Sequence, residues 1–264
     1  MTIELTKSVI KQKKKIKTKN ALLVVGLPGI GFVSKMAVDN LIKTMKAERI
    51  ATIYSPHFPN QVLSMPSGYL KAFTMQLFYK KGKKKQLFFL KGDLQPLTVE
   101  GQYEVSSTIL SLAKDLGVTE VMAMAGYSVN NLKGMPKTYC YTSSKKLLKD
   151  YAKLGAKQVP TVIPVVGMAG LLPALSKLYG LSGACILVET TGSNLDPEGA
   201  KALVRLLEKK TSEKLDLKGL DDRARKVEKL LHKIEDQAKK EELKALAPAP
   251  ETMPVNKDAL SYIR

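Results

Sequence analysis

The chain has 264 residues, of which 44% are hydrophobic, so it is long enough to bury one large core or a domain with an appendage. No apolar run approaches the ~18–20 residues of a membrane span, and the lysine-rich start lacks the apolar stretch of a signal peptide. We therefore expect a cytoplasmic protein. Cys140 and Cys185 lie far apart without metal-ligand spacing, so neither a disulfide framework nor a zinc site is predicted.

The net charge of +19 raises the possibility of nucleic-acid binding. Two lysine clusters supply much of it: Lys7, Lys11, Lys13, Lys14, Lys15, Lys17 and Lys19, and then Lys80, Lys81, Lys83, Lys84 and Lys85. Neither cluster contains arginine or interleaved aromatic residues, which are the groups that read and stack on bases. A basic RNA-associated protein is therefore an alternative, with weak and nonspecific contact, and solvated lysine runs explain the pattern equally well.

Along the chain, residues 1–19 are predicted to be a basic N-terminal arm or peripheral strand. The most distinctive stretch follows, where five apolar residues, Ala21–Val25, lead into Gly26, Pro28, Gly29 and Gly31. Apolar residues then recur at helical spacing: Val33, Ala37, Leu41 and Ile42. The pattern predicts a buried strand, a tight turn and a helix packed back on the sheet. Glycine suits such a turn because it lets the strand and helix backbones approach closely.

This turn has some features of a phosphate cradle. Gly26 and Gly31 have the spacing of P-loop glycines, but that motif next requires Lys and Ser or Thr, where Phe32 and Val33 stand. The dinucleotide pattern fails as well, because Ser34 occupies the place of its last glycine. We therefore interpret the turn as scaffold. A nucleotide-dependent or small-molecule-dependent enzyme, such as a carboxylate–amine ligase, is the alternative.

The next segment predicts a second strand, a hairpin and a helix. Arg49–Tyr54 has the pattern of a strand, and prolines then break regularity around His57. Tyr69–Tyr79 and Gln86–Leu90 are predicted to pair as a β-hairpin whose tip carries the second lysine cluster. Lysines there would keep the tip solvated and discourage edge pairing. Val99–Leu116 is amphipathic and predicts a helix.

After this helix, Glu120–Tyr127 predicts a buried strand, and residues 128–142 predict a surface loop with a short strand. Ser144–Leu154 has a helical pattern. Val162–Val166 predicts a strand that leads into a second glycine turn at Gly167 and Gly170, with a helix from there to about Tyr179.

The last strong strand is predicted at Ala184–Glu189. A helix follows to about residue 210, with Asp196 as its cap and Pro197 in its first position. Strands alternating with helices indicate an α/β fold with a mostly parallel sheet flanked by helices and an antiparallel hairpin insertion. We expect this domain to cover residues 20–210.

The C-terminal part has a different composition. Residues 211–246 are predicted to form a helical region, in which an apolar stripe recurs at helical spacing: Ala224, Val227, Leu230, Leu231, Ile234 and Ala238. His232 in this stripe is interpreted as a surface residue. Residues 247–264 are predicted to be a Pro-rich linker and a flexible tail. Its apolar end is either a docking element or a disordered terminus.

Catalytic motifs are not found. Asp93, Glu100 and Glu189 lie at predicted strand ends, where α/β sites often form, but each is an isolated signal. His57 has no carboxylate near it in the sequence and is predicted to hydrogen-bond to backbone. We therefore predict no catalytic, cofactor-binding or metal-binding residue and favour a binding module over an enzyme.

Five short motifs, in this order, resemble the archaeal branch of the proteasome assembly chaperone 2 family over about residues 20–210. They are Gly26-Leu-Pro-Gly-Ile-Gly31, Gly92-Asp-Leu-Gln-Pro96, Gly117-Val with Ala125-Gly-Tyr127, Gly167-Met-Ala-Gly-Leu-Leu172 and Asp196-Pro-Glu-Gly-Ala200. The resemblance implies a non-enzymatic chaperone that forms homo-oligomers and docks on proteasome α-subunits or the α-ring of the core particle. It gives neither the subunit number nor a preference for immature subunits over finished rings.

Members of that family can end in a hydrophobic residue, tyrosine and any residue, and this tail enters pockets between α-subunits. The terminal carboxylate would pair with a lysine, and the aromatic ring would fill an apolar slot. Here Tyr262 is third from the end and Ile263 stands in the tyrosine position. The resemblance implies that Tyr262, Ile263 and Arg264 form the docking element.

Overall fold

A computed structural model of the chain describes residues 5–158, 162–192, 195–222, 225, 226 and 229. The chain divides into two compact units, Met1–Ala224 and Arg225–Arg264. The first unit contains all the elements named below. All six residues of the predicted apolar stripe, from Ala224 to Ala238, lie outside the described residues. So do His232, the Pro-rich linker and the tail residues Tyr262, Ile263 and Arg264.

The strands and helices alternate along the first unit. The strands are β1 (Val9–Gln12), β2 (Ala21–Gly26), β3 (Glu48–Tyr54), β4 (Val62–Ser64), β5 (Leu70–Ala72), β6 (Met75–Lys81), β7 (Gln86–Gly92), β8 (Val118–Ser128), β9 (Thr138–Thr142) and β10 (Ser182–Thr190). The helices are α1 (Val33–Thr44), α2 (Val99–Asp115), α3 (Lys145–Lys153), α4 (Met168–Leu175) and α5 (Pro197–Thr211). Short 3₁₀ turns precede α1 and follow α4.

Eight strands form one twisted sheet in the order β1-β3-β6-β7-β2-β8-β10-β9. The four central strands, β7, β2, β8 and β10, are parallel to one another, and all other neighbouring pairs in the sheet are antiparallel. A separate two-stranded sheet is made by β4 and β5. The predicted α/β fold is confirmed, with antiparallel pairs on both sides of a parallel centre.

The apolar strand β2 lies at the middle of the core, and every residue in it is buried. Because side chains alternate along a strand, Leu22 and Val24 face α1, α3 and α5 on one side of the sheet. Leu23 and Val25 face α2 and α4 on the other side. Two-sided burial explains why this strand is a continuous apolar run.

Side chains that the sequence places before α2 and α5 cap the first turns of these helices. The Thr98 side chain accepts a hydrogen bond from the Gly101 N–H at the start of α2. At the start of α5, the Asp196 side chain accepts one from the Gly199 N–H at 2.8 Å, and Pro197 occupies the first position as predicted.

Beyond α5 the chain still contributes to the core, since Leu215 and Leu220 are buried in it. The division of the whole chain into four segments stays a prediction.

The strand predicted at Val162–Val166 is wrong. The segment has no ladder partner, and Val162 and Val166 are exposed. The reason is that β8 and β9 already occupy both sides of β10, and Pro164 cannot donate to a ladder. The segment instead lies beside the ends of β2 and β8, and α4 begins directly after Gly167.

The strand predicted at Tyr69–Tyr79 is two strands. Leu70–Ala72 belongs to the small β4–β5 hairpin, and the main strand starts at Met75. The break lies at Thr74, whose N–H donates to the Asp93 carboxylate at 3.2 Å and whose carbonyl accepts from the Asp93 N–H at 3.1 Å. Asp93 therefore fixes the position of Thr74, which lies between the small sheet and the large one.

The lysine-rich hairpin β6–β7 lies inside the sheet and not at its edge, so the predicted role of its lysines against edge pairing is wrong. Its tip is held by groups from other elements. Lys85 Nζ lies 3.3 Å from Glu120 Oε2, Lys84 Nζ lies 3.1 Å from Ser212 Oγ, and the Lys83 N–H donates to Glu213.

Among the described residues, no helix is both long and apolar enough to cross a membrane.

Candidate functional site

The loops that follow β2, β7, β8 and β10 meet at one edge of the sheet, which we call the carboxyl end. In open α/β sheets this edge is the usual place for a ligand site. Gly26 and Gly92 end two of these strands, and Ser128 and Thr190 end the other two. The carboxyl end is therefore the first candidate for a functional site.

The first glycine turn joins β2 tightly to α1. A Cβ atom on Gly26 would overlap the backbone oxygen of Ser34 and lie 2.5 Å from Val38 Cγ2, so only glycine permits this approach. Gly31 has φ +63°, and a Cβ there would lie 2.7 Å from Thr190 Oγ1. Ser34 Oγ donates to the Leu27 carbonyl at 2.7 Å. These contacts support the prediction that the turn is scaffold.

The second glycine turn lies beside the first, and Gln95 connects the two. Its Nε2 donates to the Pro28 carbonyl at 2.7 Å, and its Oε1 accepts from the Met168 N–H at 3.1 Å. Gly167 has φ +86° at the start of α4, and Gly170 lies in the first turn of that helix, close to the Val165 carbonyl. The motif Gly92–Pro96 contains Gln95, but the sequence alone predicts no role for it. The available signal was its place in the short loop that follows β7, three residues after Gly92.

A cavity of about 320 Å³ lies between the two turns. None of the residues that line it is charged, and its polar side chains are Ser34, Gln95, Tyr127 and Ser128. A phosphate site would need a cation or a set of converging N–H groups. The lining suits an apolar segment better than a nucleotide.

A second cavity, of about 640 Å³, lies between α2, α4 and β9. Its lining is largely apolar and includes Val99, Tyr103 and Leu171. Lys177 is the one charged residue among those that line it. This cavity opens on the same side of the sheet as the exposed start of α2.

The carboxylates predicted near strand ends are not brought together. Asp93 pairs with Lys71 Nζ at 3.0 Å, and Glu100 lies exposed at the start of α2. Glu189 lies three strands away from the end of β7, a separation of roughly 14 Å at the usual strand spacing. At that separation Asp93 and Glu189 cannot act as a pair in general acid–base catalysis, which needs both groups at one reacting bond.

Glu189 is the centre of its own polar cluster. Tyr139 donates its hydroxyl to Glu189 Oε1 at 2.6 Å, and the Lys137 N–H donates to Oε2 at 3.0 Å. The hydrogen bond to Glu189, with burial, raises the pKa of Tyr139 to about 12. Burial alone would raise the pKa of Glu189, but the Tyr139 and Lys137 hydrogen bonds together lower it. The cluster holds β9 against β10 with an ionised carboxylate.

We expect Tyr139→Phe to reduce the free energy of unfolding by about 1.5 kcal/mol at pH 7, because a hydrogen bond to a charged group is lost. The folded-state pKa of Glu189 lies below its unfolded value. Its stabilisation is therefore present above the unfolded pKa and is lost as pH falls through the folded one. The difference between wild type and variant should shrink below about pH 4, measured by urea unfolding at pH 7 and pH 3. An equal loss at both pH values would contradict this assignment.

His57 and the cysteines have structural positions. The backbone N–H of His57 donates to Ser55 Oγ at 3.1 Å, and the His57 side chain packs on the Gly101 backbone of α2. Cys140 and Cys185 are buried and unbonded to each other, and burial raises the pKa of both thiols to about 12. The described residues contain no group of three or more metal-ligating side chains.

Comparison with known proteins identifies relatives along most of the chain. A protein of Methanocaldococcus jannaschii with uncharacterized function is 31% identical over 244 residues, which cover 92% of each chain. The crystal structure of PbaB from Pyrococcus furiosus, an archaeal proteasome activator, is 29% identical, with a TM-score of 0.78 over 87% of this chain and 99% of that one.

The structure of PbaA, an archaeal homolog of proteasome-assembly chaperone from the same organism, is 22% identical. Its TM-score is 0.72 over 89% of this chain and 99% of that one, which shows the shared fold. The sequence profile of the PAC2 family matches residues 23–235, a span that contains both glycine turns and Gln95. The chain therefore belongs to the PAC2 family, as its five motifs predicted.

Proposed function

We propose that this chain is a non-enzymatic proteasome assembly chaperone that acts in the cytoplasm, forms homo-oligomers and binds core-particle α-subunits. The observation that carries the proposal is its similarity to PbaB, an archaeal proteasome activator, along 99% of that chain. PAC2 family membership and the shared fold with PbaA, a homolog of proteasome-assembly chaperone, support it.

The carboxyl end supports a binding role over a chemical one. Its two glycine turns are occupied by internal packing, and its acids are either paired within the fold or exposed singly. The cavity between the turns has an uncharged lining. A surface of this kind offers apolar contact area for a protein and no assembled acid, base and nucleophile.

The docking element is proposed to be Tyr262, Ile263 and Arg264. The linker before it is rich in proline, which keeps a tether extended and lowers the entropy lost on docking. An aromatic and an aliphatic side chain in sequence can fill adjacent apolar slots between two subunits. Tyr262 would take over the anchoring role of the family's tyrosine from a neighbouring position.

Native mass spectrometry of the full chain mixed with α-subunits from the same organism tests both the binding of α-subunits and the role of the tail in it. We expect a complex that is lost when the chain is truncated after Pro254, since the anchor side chains are removed. Tyr262→Ala and Ile263→Ala should each weaken binding at least about tenfold, in the range of an anchor residue. Ser261→Ala is the matched control and should bind as the full chain does.

Two results would change the proposal. A complex that forms equally well after truncation would place α-subunit binding on the folded unit and reject the tail. No complex with α-subunits or with assembled core particles would reject the chaperone function. Mixing with separate α-subunits and with assembled core particles in parallel also distinguishes an assembly factor from an activator of finished particles.

A further inference from the structure

Exposed apolar side chains are concentrated at one end of the sheet. Sixteen large hydrophobic residues are exposed in the described part of the chain. Fourteen of them lie near the ends of strands that meet at the carboxyl end: Ile30 and Phe32 after β2, Tyr54 at the end of β3, Val62, Leu63, Met65, Tyr69 and Leu70 in the β4–β5 hairpin, Leu97, Val99 and Tyr103 after β7, Met135 before β9, and Val162 and Val166 before α4. Leu5 precedes β1. Leu178 alone lies at the opposite end, which we call the amino end.

The topology explains this placement. Strands β3, β7, β2, β8 and β10 all run in one direction, so the connections that follow them emerge at the carboxyl end. Strands β1 and β9 run the other way, so the segments that precede them emerge there too. Fifteen exposed apolar residues from distant parts of the sequence are thereby gathered at one end of the sheet. Exposed apolar surface on this scale marks a contact site.

The charges are distributed in the opposite way. The β2–α1 connection carries no charged residue, and in the β3–β6 and β7–α2 connections Lys71 and Asp93 are the only two, paired at 3.0 Å. At the amino end, the β1–β2 connection contains five lysines and the tip of the β6–β7 hairpin contains Lys83, Lys84 and Lys85. The β8–β9 connection adds the exposed lysines Lys133 and Lys137, and Lys137 Nζ lies 4.0 Å from Glu189 Oε1. One end of the unit is therefore rich in exposed apolar side chains and carries few charges, and the other end is strongly basic.

The β4–β5 hairpin contributes more exposed apolar side chains to the carboxyl end than any other segment, five in all. Tyr69 and Leu70 are each 74% exposed, and Val62, on the paired strand, is 55% exposed. A two-stranded hairpin is marginally stable alone, and here Lys71 ties it to Asp93 at the end of β7. It displays apolar groups to solvent instead of covering them.

We propose that the carboxyl end is the surface through which two copies of this chain associate, with the β4–β5 hairpin at the contact. This proposal rests on the self-association in the proposed function and names the surface that mediates it. Each copy carries a net charge of +19, and contact through the carboxyl end keeps the lysines of the β1–β2 connection and of the β6–β7 tip in the two copies far apart. A two-fold contact needs one self-complementary patch, and an apolar patch with few charges meets that requirement with few like-charge contacts. A stable contact uses roughly 20–30 residues a side, which these loops supply.

Sedimentation velocity on the full chain and three variants tests this surface. Leu70→Asp and Leu97→Asp alter side chains that are each 74% exposed at the carboxyl end. Leu178→Asp is the matched control, 78% exposed at the amino end. We expect wild type and L178D to self-associate equally, and L70D and L97D to raise the dissociation constant at least about 100-fold, since a two-fold contact contains each change twice. At protein concentrations low enough for all four proteins to be monomeric, urea unfolding should be the same for all of them.

Cross-linking gives an independent readout that needs no destabilising change. Because Cys140 and Cys185 are buried, Ser67→Cys in the β4–β5 turn introduces a single exposed thiol. A short bis-maleimide should join two S67C chains and leave Lys84→Cys, at the basic end, as single chains. Equal cross-linking of both variants would overturn the proposal.

Other outcomes also overturn the proposed contact surface, and they can be told apart from a failure of the proposed function. A monomeric wild type, or an L178D variant that dissociates as L70D does, rejects the surface. A monomeric wild type that L97D destabilises would mean that another segment of the same chain covers this end. The same four proteins mixed with α-subunits in native mass spectrometry report on proteasome binding. A chain that stays monomeric and binds α-subunits rejects the surface only, and a self-associating chain that never binds them rejects the chaperone function only.

Discussion

Replacing Glu120 by Gln is expected to lower the free energy of unfolding by about 3 kcal/mol or more, as removal of one partner from a buried ion pair does. Glu120 is 5% exposed at the amino end of β8 and binds three groups. Lys210 Nζ of α5 lies 2.9 Å from it, Lys85 Nζ lies 3.3 Å away, and the Tyr151 hydroxyl of α3 donates to it at 2.7 Å. The neutral amide keeps the shape but leaves two ammonium groups without their anion.

Urea unfolding measures this loss, with Glu48→Gln as the matched control. Glu48 forms an ion pair with Lys14 in which both side chains are more than half exposed, so its replacement should cost less than about 1 kcal/mol. The double variant Glu120→Gln with Lys210→Met should lose less than the sum of the two single changes, because it removes both charges together. Equal losses for E120Q and E48Q would mean that the Glu120 cluster does not hold the elements together.

Gly26→Ala is the second change with a large expected effect. The added methyl group would overlap the Ser34 backbone oxygen and press on Val38, both of which belong to α1. The helix must then move away from the end of β2, and we expect a loss of about 3 kcal/mol or more in the free energy of unfolding, at the upper end of overpacking effects. Thermal or urea unfolding of G26A and wild type measures this loss of stability.

Gly29→Ala is the control within the same motif. A Cβ at Gly29 meets no atom within 4 Å, and its backbone is extended, so any residue can adopt it. Its free energy of unfolding should change by less than about 0.5 kcal/mol, and proteasome binding should not change. A strong loss of function in G29A without a loss of stability would revive a ligand-binding role for the turn.

The sequence predicted those elements whose local signals agree with their packing. The apolar run Ala21–Val25, the capped helix α5 and the amphipathic α2 each carry a periodicity and a terminus signal that tertiary contacts reinforce. The family followed from short motifs at turns, because turn geometry depends on local residues. These are the features that single-sequence reasoning can reach.

The errors arose where a distant partner decides the structure. Val162–Val166 has strand composition but finds both sides of β10 already occupied. Tyr69–Tyr79 is divided because Asp93, from the other side of the hairpin, binds Thr74. The role of Gln95 depends on two turns that are far apart in sequence. None of these contacts leaves a periodic signal in the chain.

The strand order has a consequence for how this protein is made. The central strand β2 leaves the ribosome early, yet both of its sheet partners, β7 and β8, are translated much later. Until residue 128 has emerged, its apolar side chains have no complete sheet to enter. The meander β3–β6–β7 consists of neighbouring antiparallel pairs and can form first, as a template on which β2 docks. This chain is therefore expected to depend on protection of its own nascent N-terminal part before it can assist the assembly of any other protein.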